Sequence, residues 1–224
     1  VLRHEDHVAV FPTHGSGSLC STGIASMPFS TIGYERRHNR MVQPVDVETF
    51  VRRLLGSQPP FPRYFARMRP TNQAGPRLLG GRIPDPCPLS VAEVAAAVEA
   101  GAVVVDARDP VDHALAHLPG SISVPAGPSF GTWLGWVVEP DRPLVLVLDS
   151  VADWDDCVRQ ALRIGYESVV GHLRGGVDAW LEAGRPTDSH GRWSIAELAG
   201  RLAAGGPEAP LVVDVRTPTE FAAG

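Results

Sequence analysis

Two runs of β-branched residues ending in Asp-x-Arg set the pattern of this chain: VVVDARD at residues 103–109 and VVDVRT at residues 212–217. Each follows an amphipathic segment with a related opening. SVAEVAAAVEAG, from Ser90, leads into the first run, and SIAELAGRLAAG, from Ser194, leads into the second. In both segments a serine stands three residues before a glutamate, the spacing of a capping box at a helix start. Ser90 and Ser194 are 104 positions apart, whereas Asp106 and Asp214 are 108 apart, because the second copy inserts GPEAP before its apolar run. A repeat of that size predicts a duplicated α/β domain rather than a solenoid, whose period is about 20–50 residues. The second copy reaches Gly224 before a complete domain can form, and the chain opens on Val1. The sequence therefore reads as an internal fragment.

Along the rest of the chain, VAVF at residues 8–11 predicts a short strand that runs into the glycine-rich PTHGSGSLC. Residues 30–39 are polar and read as a loop in which Arg36, Arg37 and His38 could meet an anion. Asp46 then caps a helix whose Val47, Phe50, Val51, Leu54 and Leu55 recur at helical spacing, with Gly56 at its end. Prolines 59, 60 and 62 interrupt it, and another turn or two of helix follows at residues 63–68. Residues 75–88 are rich in glycine and proline and read as a linker.

Residues 89–186 alternate helix and strand. PLVLVL at 143–148 is the most hydrophobic run and ends at Asp149; a helix follows from Asp153 to Ile164, then a strand at 168–170 and a short helix closed by Gly184. This alternation predicts a doubly wound parallel sheet. In such sheets the site lies beyond the carboxyl ends of the strands, which places it at Asp149.

Composition narrows the function without naming it. Apolar residues make up 44% and charged residues 20%, as in ordinary globular domains. The net charge of −5 and the lack of a Lys/Arg-rich block argue against a nucleic-acid or membrane-surface partner. Cys20, Cys87 and Cys157 are three, widely spaced and without a CxxC pair, so neither a disulfide framework nor a cysteine metal site follows. No apolar run has the length of a membrane span, and a cytoplasmic location is the default.

The candidate chemistry is sparse. His14 stands at a strand end before a glycine-rich loop and is a metal-ligand candidate, but the residues alone favour a structural histidine bonded to its loop. One histidine is not a site, because zinc or iron needs three or more convergent ligands. His113, His117 and His172 fall on loops or helix edges and are not read as a metal set. Cys157 lies inside a helix and reads as packing rather than as a nucleophile.

PTHGSGSLC, STIGYERRHN, DVETFVRRLL and PPFPRYFARMRPTN together resemble the C-terminal part of metallo-β-lactamase-fold proteins of the persulfide dioxygenase and glyoxalase II-like group. The resemblance implies an αββα fold whose iron or zinc is held by motifs upstream of Val1. His14 matches the late strand-end histidine, which ligates the second metal in two-metal hydrolases and does not touch the iron in dioxygenases. No cofactor is expected to be retained by this segment alone.

The middle segment resembles the rhodanese sulfurtransferase domain. VVVDARDPVDHALAHLPGSISVP matches its Asp-x-Arg strand and His-x-Pro-Gly signature; GYESVVGHLRGGVDAWLEAGRP matches its terminal Gly-Gly-x-x-x-Trp signature. Asp106, Arg108, Asp214 and Arg216 are expected to be structural ion pairs. Active rhodaneses place a cysteine directly after the central strand, in a loop whose N–H groups cradle a persulfide. Asp149 occupies that position here, so no catalytic residue is expected in this domain. A carboxylate cannot carry sulfane sulfur, and Asp149, Asp153, Asp155 and Asp156 would repel an anionic donor.

The expected layout is a metallo-β-lactamase-like portion at 1–80, a linker at 81–88, a degenerate rhodanese-like domain at 89–188, and the start of a second one at 191–224. The resemblances imply a parent protein of sulfur metabolism, with a small sulfur-containing substrate such as glutathione persulfide; a homo-oligomer is left open. The alternatives are a glyoxalase II-like thioester hydrolase fused to rhodanese domains, or a non-catalytic rhodanese-type binding module.

Overall fold

The computed structural model describes residues 2–12, 28–43, 46–56, 61–207, 209–216 and 218–222. The chain divides into two compact units, Val1–Arg69 and Pro70–Gly224.

The first unit pairs β1 (Ala9–Val10) antiparallel with β2 (Ser30–Thr31). Three helices follow: α1 (Ile32–His38), α2 (Val47–Gly56) and α3 (Phe65–Ala74), the last continuing past Arg69. Helix α1 corrects the reading of residues 30–39 as a loop. The Thr31 hydroxyl accepts the Tyr34 N–H at 3.2 Å and caps the first turn, while Ile32 is buried. The expected anion site is also corrected. Arg36 and Arg37 both pair with the Asp6 carboxylate, at 2.5 and 3.1 Å, and Arg36 donates further to the Leu2 and His4 carbonyls. The chain's own acid takes the place of an external anion. Asp46 caps α2 as expected, accepting the Thr49 N–H at 2.8 Å, and no residue of α2 is buried.

The second unit contains β3 (Pro88–Leu89), α4 (Val91–Glu99), β4 (Val103–Asp106), α5 (Pro110–Leu115), β5 (Ile122–Ser123), α6 (Phe130–Val137) and β6 (Leu144–Val147). A 3₁₀ turn at Val151–Asp153 then leads into α7 (Trp154–Arg163), β7 (Val169–Leu173), α8 (Gly176–Glu182), α9 (Ile195–Ala204) and α10 (Pro218–Ala222). The five strands form one wholly parallel sheet in the order β3-β7-β6-β4-β5. All four residues of β6 are buried, as a strand covered on both faces requires.

Alternation along the strands divides the core into two faces. Val104, Val145 and Val147 pack with Val94 of α4 and with Val177 and Trp180 of α8. Leu144, Leu146 and Val105 are buried on the opposite side of the pleat, where α6 and α7 supply buried Phe130, Leu134, Trp154 and Val158. Gly171 of β7 allows the edge strand to close up: a Cβ there would stand 2.4 Å from the Cys87 carbonyl. That carbonyl accepts the His172 N–H at 2.9 Å, so the end of the stretch read as a linker is already bound to the sheet.

Both serine caps form as the sequence indicates. Ser90 and Glu93 make a reciprocal capping box at α4, and Ser194 and Glu197 make the same at α9. The second β-branched run behaves differently. Residues 211–215 form no strand, with Leu211 89% and Val215 93% exposed.

These environments predict opposite responses to one substitution. Leu146→Ala removes a side chain from the closed core and should lower the unfolding free energy by ~2–5 kcal/mol. Leu211→Ala should leave the urea midpoint unchanged. Equal midpoints for the two variants would contradict the assigned core.

Candidate functional site

The order of the strands reverses between β4 and β6: the chain leaves β4 toward β5 and leaves β6 toward β7. Ligands of open α/β sheets bind at such a switch point, beyond the carboxyl ends. A cleft of about 360 Å³ opens there, lined by Arg108, Asp149, Val151, His172, Gly175 and Asp178 among others. Gly175 and Gly176 enter α8 at φ of 77° and 62°, left-handed values that suit glycine and keep the wall beneath them free of side chains.

One wall rests on Asp106. Its carboxylate has no solvent exposure and holds Arg108 in a fork, Nε to Oδ1 at 2.9 Å and Nη2 to Oδ2 at 2.6 Å. The Arg108 backbone N–H also donates to Oδ1 at 3.1 Å. Burial works against the charged guanidinium, but its bonds to Asp106 and the nearby Asp149 and Asp112 charges outweigh that and raise its pKa. Arg108 Nη2 reaches on to the Ala116 carbonyl at 2.8 Å, tying the strand end to the turn before His117.

The loop after β6 begins at Asp149. Its carboxylate accepts the Asp109 N–H at 3.2 Å. The following amides turn inward to the loop itself. Ala152 N–H donates to the Ser150 hydroxyl at 3.2 Å, Asp153 N–H to the Ser150 carbonyl at 3.1 Å, and Trp154 N–H to the Val151 carbonyl. A cradle for a persulfide and its anionic donor needs such N–H groups unspent and converging on one point. The 3₁₀ turn engages these three. Trp154 closes the loop from below, fully buried with its indole N–H on the Pro84 carbonyl at 2.8 Å.

Among the described residues, no cysteine lines this cleft. Cys157 is buried in α7, and burial, followed by the charges of Asp153 and Asp156, pushes its thiol up to about 12. Cys87 is exposed and lies beside β3, not in the cleft lining. Cys20 and His14 lie outside the described residues. Among the described residues of the first unit, no three His, Cys, Asp or Glu side chains converge as metal ligands. The metal that the resemblance implies therefore finds no donor set among those residues. Asp214 and Arg216 repeat the fork of the first copy, with Nη2 to Oδ2 at 2.8 Å, but in an exposed setting.

His113 lies in the last turn of α5 and His117 just after it, at a helix edge and a turn as expected, whereas His172 belongs to β7. His172 sits edge-on to Trp154 and lines the cleft. His113 and His117 stack at 4.0 Å, and His190 joins them at 5.5 and 5.3 Å. Burial, then the His117 charge, lowers the pKa of His113. Nothing in the sequence singled out His190, which lies 73 positions beyond His117; the backbone bridge between His117 and Asp188 brings it in.

Fold and site together define an open parallel α/β domain of the rhodanese-like class. Residues 90–183 match the sequence model of the family described as the Rhodanese-like domain, so this segment is a rhodanese-like domain. A metallo-β-lactamase from Staphylococcus aureus subsp. aureus COL is similar to 75% of the chain at 26% identity, with a TM-score of 0.60. The chain spans 45% of that protein's length. It thus joins a metallo-β-lactamase-fold portion to a rhodanese-like domain. The Alr3790 protein from Anabaena sp. is 19% identical over 51% of this chain and all of its own, with a TM-score of 0.41. A rhodanese-related protein from Thermoplasma volcanium is 19% identical over 45% of this chain and 96% of its own, at 0.38. Comparison with curated proteins found no match. Among the described residues, no helix is long and apolar enough to cross a membrane.

The two Asp-x-Arg forks should differ in worth. Asp106→Asn takes the main counter-charge from the half-buried Arg108 and should cost about 1–3 kcal/mol of unfolding free energy. Asp214→Asn should not move the denaturation midpoint, because its fork is already in water. A native chain treated with iodoacetamide at pH 8 should be alkylated at Cys87 and spared at Cys157, whose thiolate is scarce and enclosed. Peptide mass mapping reads both, and early modification of Cys157 would overturn its assignment as a packed residue.

Proposed function

We propose that this chain is part of a sulfur-metabolism protein in which a persulfide dioxygenase-like portion is joined to rhodanese-type domains. In this reading the rhodanese-like domain at 90–183 is catalytically inactive. The observation that carries the reading is the loop after β6. A carboxylate stands where the resemblance calls for a thiol, and the Ala152, Asp153 and Trp154 amides are bonded within the loop. Sulfur transfer needs a polarisable thiolate that attacks sulfane sulfur and holds it as a persulfide. Asp149 can accept hydrogen bonds or meet a cation, but its carboxylate cannot hold a persulfide.

The domain then serves as a docking or spacer module that keeps the rhodanese cleft without its chemistry. The parent's substrate would be a small sulfur compound such as glutathione persulfide, acted on at an iron site outside the described residues. The similarity to a metallo-β-lactamase supports the fold of that portion, and the sulfur chemistry rests on the rhodanese partnership.

Thiosulfate:cyanide sulfur transfer by the chain should not exceed the protein-free rate, and incubation with thiosulfate should leave its intact mass without an added sulfur atom. Turnover that survives Cys20→Ser, Cys87→Ser and Cys157→Ala together would overturn the assignment of Asp149, because sulfur would then be moving without any of the chain's three thiols.

A further inference from the structure

We propose that His113, His117 and His190 form a binding site for a divalent transition metal of the zinc class, which clasps the segment after α8 onto the turn after α5. One ring nitrogen from each histidine lies within 4.8 Å of one from each of the others. Zinc–imidazole bonds of about 2.0–2.1 Å need nitrogens about 3.3 Å apart in a tetrahedral site, so the nitrogens must draw in and one of the two stacked rings must turn out of the stack, because the ion lies in the plane of each imidazole that binds it. His190 is exposed and has room to move, whereas His113 and His117 are buried and already stacked.

The backbone holds the three together independently of any ion. His117 and Asp188 exchange two N–H to carbonyl bonds, both 2.9 Å, and His190 N–H donates to the Ala114 carbonyl at 3.0 Å. Upstream, the Trp180 indole holds the Pro186 carbonyl at 2.8 Å, which fixes where this segment leaves α8. Upstream of His117, Arg108 holds the Ala116 carbonyl. The ligand set is thus pinned on both sides.

The tautomer of His117 is also determined. Its Nδ1 lies 2.7 Å from the His113 carbonyl, which can only accept. Nδ1 must therefore carry the proton, and Nε2 keeps a free lone pair. A metal-ligating histidine ordinarily donates its other nitrogen to a carbonyl or carboxylate in this manner. The Ser121 hydroxyl, 3.3 Å from His113 Nε2, can rotate to suit either state of that ring. Three imidazoles without a carboxylate in the set select borderline cations such as zinc, cobalt, nickel or copper over magnesium or calcium. With three protein ligands, a fourth position is left for water on the exposed side of His190.

The site lies apart from the Asp149 loop and does not depend on the sulfur reading. Its placement gives it a structural consequence. The clasped segment leads directly to Ser194, where α9 opens the second copy, so a bound metal would stiffen the exit from the rhodanese-like domain.

The test uses the whole chain stripped with a chelator and titrated with Zn²⁺ by calorimetry, with the Co²⁺ visible spectrum as a second readout. His190→Ala is the informative variant because that ring is exposed and its loss leaves the fold intact; His38→Ala, another exposed histidine, is the control. The expected result is one tight Zn²⁺ per chain and a rise in Tm, weakened about tenfold or more in His190→Ala and unchanged in His38→Ala. Cobalt should give a tetrahedral spectrum that the His190 variant lacks. Absence of Zn²⁺ binding, or binding by His190→Ala as tight as in the parent chain, would overturn the proposal.

Discussion

The buried carboxylate of Asp106 is the contact on which the rhodanese-like unit depends. An ionised group without solvent access is tolerable only when it is paired and fully hydrogen-bonded. Asp106 satisfies this by folding its own chain back: the side chain and backbone of Arg108, two residues on, supply the donors. Through Arg108 the strand end is tied to Ala116, and through the His117–Asp188 bridge that turn is tied to the segment beyond α8. One ion pair thereby fixes a wall of the cleft, the His-x-Pro-Gly turn and the exit of the domain.

This arrangement separates scaffold from chemistry. The cleft at the β4/β6 switch point follows from strand order, and the glycines entering α8 keep it open. Neither feature needs a thiol. The Asp149 carboxylate accepts the Asp109 amide and so joins the loop after β6 to the loop after β4. The cleft of this rhodanese-like fold is thus crossed by a link that its own chain supplies.

The middle domain was legible because its signals are local. Val103–Asp106 and Leu144–Val147 are unbroken apolar runs, and the Ser-x-x-Glu boxes mark helix starts within four residues. What was not legible depends on contacts distant in sequence or on hidden caps. Helix α1 looked like a polar loop because its arginines face Asp6, some thirty positions earlier. Helix α6 escaped notice because FGTWLGWV has two glycines and lacks a side-chain cap, and its burial against α7 compensates for weak propensity. The histidine cluster required knowing that residue 188 returns to residue 117. His14 and Cys20 fall outside the described residues, so the sequence alone speaks for them.

The two copies also separate what a motif encodes from what its surroundings add. Asp214 and Arg216 reproduce the geometry of Asp106 and Arg108 almost atom for atom, although residues 211–215 form no strand. The fork is therefore a property of three consecutive residues and forms without a sheet. Its importance is not. In the first copy the strand brings the carboxylate into a dry core, where removing its partner would strand a charge; in the second the same atoms remain in water, where solvent can replace either partner. The Asp-x-Arg motif specifies a local shape, and strand pairing alone turns that shape into a structural constraint.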